Sequence, residues 1–164
     1  MRERWRTVIA WSEFLGGAGG LFGVGLTGLQ PSPVPLPPTF YIAAVTGFVL
    51  ALQAGWLLLT RSRWGAPLSA LVQALQVVQA GVGGAVFSYA AGLQVLVRVA
   101  PSGWRVSPGV NAGVWVGPLP FPAEPFVAVN LFAAAALWLL LRRGRATQAT
   151  PRDGAATEST APAA

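Results

Sequence analysis

The chain has 164 residues, of which 54% are hydrophobic and only 10% are charged, and its formal net charge is +6. Soluble domains carry roughly 25% charged residues. The few ionisable side chains of this chain could not cover the surface of a soluble protein with so many apolar residues. The chain has no cysteine and no histidine, which excludes disulfides, thiolate metal sites, histidine haem ligation and Ser-His-Asp or cysteine nucleophiles. We therefore expect a membrane protein without a metal site or cofactor, whose solvent is the lipid bilayer.

Four long apolar segments follow one another along the chain. Each is long enough, at 1.5 Å per residue, to cross about 30 Å of hydrocarbon as a helix. They predict an all-α integral membrane four-helix bundle over residues 1–143. The predicted spans are residues 5–29, 40–60, 67–97 and 124–141.

The chain begins with the basic sequence MRERWR followed by an apolar stretch, and this order resembles the start of a signal peptide. Its apolar stretch is longer than an ordinary signal core, no A-x-A cleavage site follows, and Glu13 lies within it. We expect an uncleaved first span.

The eleven positive charges, all arginine, are unevenly distributed over the segment ends. Nine lie at the two termini and in the loop between the second and third segments, and two lie on the other side. The positive-inside rule then places both termini in the cytoplasm of a bacterial inner membrane. The nine are Arg2, Arg4, Arg6, Arg61, Arg63, Arg142, Arg143, Arg145 and Arg152; the two are Arg98 and Arg105.

Small residues recur at a spacing of four in the first and third segments. Such residues allow helices to approach closely in lipid. We expect contacts within the chain, or contacts with another membrane protein or a second copy. The residues of this type are Ser12, Gly16, Gly20, Gly19, Gly23, Thr27, Ala80, Gly84, Ser88 and Gly92, and the candidate partner surface is Gly16, Gly20, Gly84 and Gly92.

The loops between the segments and the carboxyl-terminal region differ in composition. Five prolines in residues 30–38 predict an extended crossover that is incompatible with a helix. Residues 99–122 are rich in glycine and proline and are expected to form an irregular connector or a lid, with a turn at Pro108-Gly109 closing a short hairpin. Residues 144–164 lack large apolar groups and are expected to form a disordered cytoplasmic tail.

Polar residues within the spans are the candidates for a functional site, because polar groups at membrane depth are costly unless they are paired. Depths counted from the span ends place several of them at one level of the cytoplasmic half, with two deeper. They are either an interhelical hydrogen-bond clamp or a polar pocket for a headgroup or small ligand. The predicted cluster is Glu13, Gln53, Gln73, Gln76, Gln79 and Asn130.

These features favour a non-enzymatic structural or accessory subunit. The alternative is a carrier or binding protein for a small molecule or lipid, using the cluster around Glu13. Catalysis is not expected, since a single carboxylate within the spans is poor equipment for acid–base chemistry. Nucleic-acid binding is not expected either, because the arginines lie at segment ends rather than among aromatic residues in one patch.

Overall fold

The fold is mixed α/β, as seen in a computed structural model that describes residues 3–29, 38–82, 85–118 and 124–148. The prediction of an all-α four-helix bundle is therefore wrong: the described residues form four helices and four antiparallel strands. In chain order the elements are α1 (Glu3–Leu29), α2 (Pro38–Leu59), α3 (Gly65–Val77), β1 (Val78–Val82), β2 (Ala85–Ala100), β3 (Gly103–Pro118), β4 (Phe126–Asn130) and α4 (Leu131–Gln148).

Helices α1 and α2 pack closely as an antiparallel pair, because small residues occupy their contact. A Cβ added to Gly17 would lie 2.6 Å from the backbone nitrogen of Leu52. One added to Gly55 would lie 2.5 Å from the carbonyl oxygen of Ala10. The contact therefore depends on residues without a side chain.

The predicted third span, residues 67–97, is helical only at its start. Helix α3 ends at Val77 and continues directly as β1, and the rest of the segment belongs to β2. Valines alternate with other residues from Val95 to Val99, and β-branched side chains at period two favour a strand. The prediction followed the length of the apolar run, and a continuous apolar run does not by itself separate a helix from a strand.

The predicted fourth span, residues 124–141, begins as a strand for a similar reason. Strand β4 ends at Asn130, whose side-chain oxygen accepts a hydrogen bond of 3.3 Å from the backbone nitrogen of Ala133. A side-chain acceptor at this position satisfies one of the free amides of a helix start. Asn130 therefore ends the strand and begins α4.

Strand β2 reverses its direction between its two ends. Its first residues pair antiparallel with β1, its last residues pair antiparallel with β4, and β1 pairs antiparallel with β4. Three straight strands cannot satisfy three such pairings at once. Gly92 lies between the two ladders with φ +106°, a conformation that residues with a side chain rarely adopt. We infer that β2 bends there.

The expected connector 99–122 instead contributes most of a long hairpin. Strands β2 and β3 pair over their full length, from Ala85 opposite Pro118 to Ala100 opposite Gly103. The turn lies at residues 101–102, and Pro108-Gly109 is part of β3. The prediction of a turn at Pro108-Gly109 is therefore wrong.

Two apolar clusters form the core. One joins all four helices, through Ile9 of α1, Leu58 of α2, Ala70 of α3 and Leu140 of α4. The other joins α2, α3 and β2 through Phe48, Val72 and Tyr89. The predicted crossover at residues 30–37 and most of the predicted tail, residues 149–164, lie outside the described residues.

Two described helices are long and apolar enough to cross a membrane, over Glu3–Leu26 and Pro38–Leu59. A shorter apolar helix covers Leu131–Arg142. Length and composition do not by themselves separate such helices from a signal sequence near the amino terminus or from core helices of a soluble protein.

Candidate functional site: a buried polar cluster between helices and sheet

Glu13 of α1 lies at the centre of a buried polar cluster and is fully inaccessible to solvent. Its Oε1 accepts two hydrogen bonds from α3, one of 2.6 Å from Ser69 Oγ and one of 2.8 Å from Gln73 Nε2. Residues four apart lie on the same face of a helix, so α3 presents both donors to one carboxylate oxygen. The carboxylate thereby links α1 to α3.

Gln76 and Gln79 continue the cluster from α3 into the sheet. Gln76 Oε1 accepts a 3.0 Å hydrogen bond from the backbone nitrogen of Ala91 in β2. Gln79, in β1, accepts a 2.9 Å bond from Ser88 Oγ, and its Nε2 lies 3.5 Å from the carbonyl oxygen of Tyr89. Both glutamine side chains therefore attach β2 to the α3–β1 unit.

Asn130 lies at the far side of the sheet, where β4 meets α4, and is also fully buried. Besides capping α4, its Oδ1 accepts a 3.2 Å hydrogen bond from the backbone nitrogen of Val95. This bond holds the returning end of β2 against β4.

Gln53 is the member of the predicted cluster that the structure leaves outside, because its side chain is exposed. The buried face of α2 includes Ala51 and Leu58. At 100° per residue Gln53 lies about 200° around the helix from Ala51. Counting depth along the helix placed Gln53 at the level of Glu13 but did not consider the face on which it lies.

Two hydroxyl groups belong to this region although the sequence prediction did not assign them to the cluster. Ser69 donates the shortest bond to Glu13. Ser12 Oγ accepts a 2.7 Å bond from the backbone nitrogen of Leu93, beside the bend in β2. The spacing of four between Ser69 and Gln73 was the available signal for the first, whereas the second depends on a strand that the sequence prediction lacked.

Four buried polar atoms in this cluster have no hydrogen-bond partner among the described residues. Two are acceptors, Glu13 Oε2 and Gln73 Oε1, and two are donors, Gln76 Nε2 and Asn130 Nδ2. Unpaired buried polar atoms cost about 1–3 kcal/mol each. Within the described part of the chain no group of three or more acidic, histidine or cysteine residues is placed to hold a metal ion.

The glycines predicted to contact a partner are used within the chain, as far as they are described. A Cβ on Gly16 would overlap the backbone of Gly92, and one on Gly20 would overlap the ring of Phe48. Gly84 lies outside the described residues. These contacts fix β2 and α2 against α1, whereas binding of a partner stays a prediction.

Hydrogen bonds of the cluster connect five elements, namely α1, α3, β1, β2 and β4. Its functional groups are the carboxylate of Glu13, the side-chain amides of the glutamines and Asn130, and the hydroxyl groups of Ser12 and Ser69. Comparison of the chain with family models, with curated proteins and with solved structures finds no match.

Proposed function

We propose that this protein is a non-enzymatic accessory subunit of a complex in the bacterial inner membrane, held in the bilayer by its helices with both ends in the cytoplasm. The observation that carries the proposal is the free edge of β3. This strand of 16 residues pairs with β2 on one side, and the described strands offer it no neighbour on the other.

Apolar side chains on the outer faces of α1 and α2 support the membrane location. Leu15 and Phe22 are 59% and 70% exposed, and Ile42 and Trp56 are 66% and 56% exposed. In the most apolar stretch of each helix, only a minority of the residues are buried within the protein: 39% in α1 and 33% in α2. The core helix of a soluble protein would be mostly buried, so lipid is the fitting solvent for these faces.

The positions of the charges support the proposed orientation. Arg61 Nη2 lies 2.6 Å from Glu3 Oε1, which places the loop after α2 beside the amino end. The arginines at both sites therefore share one side, as the positive-inside rule requires for cytoplasmic ends.

The free edge of β3 implies a partner because of where it lies. A sheet edge leaves backbone amides and carbonyls unpaired, and each unpaired group costs several kcal/mol in hydrocarbon. Residues 108–112 are exposed on this strand, and they include apolar side chains such as Val110, which is 75% exposed. Addition of a strand from another membrane subunit would pair the backbone and cover these side chains.

Site-specific photocrosslinking in native membranes tests the proposal. A photoreactive residue at Val110 is expected to give a crosslinked adduct with another membrane protein. The same residue at Ile42 provides the control, since it is exposed to a similar degree on the lipid-facing side of α2. Absence of a Val110 adduct, or recovery of the protein outside the membrane fraction, would contradict the proposal.

A second candidate function is binding of a small polar molecule at the buried cluster, which the unpaired Glu13 Oε2 and Gln73 Oε1 favour. Two adjacent acceptors suit a ligand that donates hydrogen bonds, such as an amine. Native mass spectrometry of the wild-type protein is expected to reveal a co-purified small molecule that Glu13→Gln loses while the chain stays folded. An equal adduct in both proteins, or none in either, would exclude this function.

A further inference from the structure

Two arginines face each other near the closed end of the β2–β3 hairpin. Arg98 and Arg105 are direct cross-strand partners, and residues paired in this way project to the same face of a sheet. Like charges in this arrangement destabilise the pair unless an anion lies between or beside them. Among the described residues the one ion pair is Glu3–Arg61, so no carboxylate there neutralises either arginine.

A cavity of about 350 Å³ opens beside this arginine pair. Besides the two guanidinium groups, Ser102 and Ser107 line it and bring hydroxyl groups that can donate hydrogen bonds. The cavity therefore carries hydrogen-bond donors and positive charge beside the apolar residues Leu96 and Ala100, and we call it the hairpin-end pocket.

Arg98 is held in place for such a role. Its guanidinium carbon lies 4.1 Å from the centre of the Phe126 ring, a cation–π distance. Its Nε is buried and has no hydrogen-bond partner among the described residues. A fixed guanidinium loses little conformational freedom when it binds an anion, and its planar fork matches phosphate and carboxylate oxygens.

The opposite face of the hairpin end is apolar and exposed. Val99 and Trp104 pair across the strands, and they are 57% and 76% exposed. Val106 continues this face and is 46% exposed. A segment with one apolar face and one arginine face is suited to the boundary between hydrocarbon and headgroups, where tryptophan is enriched.

We propose that the hairpin-end pocket binds the phosphate group of an anionic phospholipid. The arginines and serines donate hydrogen bonds to the phosphate oxygens, while the valine and tryptophan face contacts the acyl boundary. This inference rests on the proposed membrane location, since a phospholipid reaches the pocket only at a bilayer surface. Inorganic phosphate shares the same recognition chemistry and is distinguished from the lipid by competition.

Native mass spectrometry of the full chain in detergent, titrated with phosphatidylglycerol, tests the pocket. Arg98→Gln and Arg105→Gln are each expected to weaken binding about fivefold, the effect of one arginine near an anionic surface. Arg63→Gln is the matched control, because Arg63 also lies over an aromatic ring, 5.6 Å from Trp64, at the other end of the molecule. It is expected to bind as the wild-type protein does.

Each outcome decides the assignment. Selective weakening in the two hairpin variants, with little binding of phosphatidylcholine, supports the lipid site. Displacement of phosphatidylglycerol by inorganic phosphate with the same arginine dependence overturns the lipid and assigns free phosphate. Equal lipid binding in all variants overturns the pocket; because Arg105 is exposed, its replacement leaves the fold available for this comparison. Recovery of the protein outside membranes contradicts the proposed location instead, and inorganic phosphate binding can still be measured.

Discussion

At the scale of single residues, the Glu13 carboxylate is defined by the donors it receives from α3. Ser69 and Gln73 both bond to its Oε1, and its other oxygen is unpaired within the described chain. A glutamine at this position keeps an acceptor oxygen for both donors and removes a buried carboxylate. A leucine removes the acceptor and leaves two buried donors without a partner.

We therefore predict that Glu13→Gln retains the stability of the wild-type protein, within about 1 kcal/mol. Glu13→Leu is expected to reduce the free energy of unfolding by about 2–6 kcal/mol, because it leaves two donors unpaired and each costs about 1–3 kcal/mol. Thermal or denaturant unfolding in a mild detergent measures both. Equal stability of the leucine variant would mean that the hydrogen bonds to Glu13 do not hold α1 to α3.

The sequence supplied part of this site. Depth along the predicted spans brought Glu13 and Gln73 to one level, and the structure places them in contact. The same count included Gln53, which lies on the exposed face of α2. Depth is a property of the sequence alone, whereas the face turned toward a neighbour depends on which helices pack together. That information was missing for α2.

At the scale of elements, the bend at Gly92 decides the course of β2. A Cβ added there would overlap the carbonyl oxygen and hydroxyl of Ser12, and φ is +106°. Alanine at this position would therefore be unfavourable in the observed strand. If the segment were a helix, alanine would instead be favoured over glycine by about 1 kcal/mol. One substitution therefore separates the observed strand from the helix predicted over residues 67–97.

We predict that Gly92→Ala destabilises the protein by about 1–3 kcal/mol, the cost of an unfavourable backbone conformation, with an added cost from the overlap. Gly109→Ala is the control: it lies in the paired strand β3 and a Cβ there meets no atom within 4 Å. The two unfolding midpoints are compared in the same detergent. A more stable Gly92→Ala variant would contradict the bend and favour a helix.

The strands were only partly readable from the sequence. Alternating valines from Val95 to Val99 carry a strand pattern, yet they lie in an apolar run of a length that suits a membrane helix. Asn130 interrupts the predicted fourth span, and asparagine is a favoured residue at helix starts. This residue was therefore the available signal for the boundary between β4 and α4. The pairing partners of β2 are distant in sequence, so no local pattern could reveal its reversal.

At the scale of the whole molecule, the reversal determines on which side the hairpin end lies. Helix α3 begins beside the loop after α2, and β1 continues away from that loop. The last part of β2 runs parallel to β1, because both pair antiparallel with β4. The turn at residues 101–102 is thus directed away from the loop that carries Arg61.

The absence of native cysteine makes this arrangement directly testable with single cysteines. We predict that Ser102→Cys reacts with a membrane-impermeant maleimide in intact spheroplasts, because the hairpin end faces the outside in the proposed orientation. Thr60→Cys, exposed in the loop beside Arg61, is expected to react only after the membrane is permeabilised. The cysteine-free chain controls for background labelling. Reaction of both positions from the same side would contradict the reversal of β2, since an unbent strand would carry residue 102 past Ser12 toward the cytoplasmic ends of the helices.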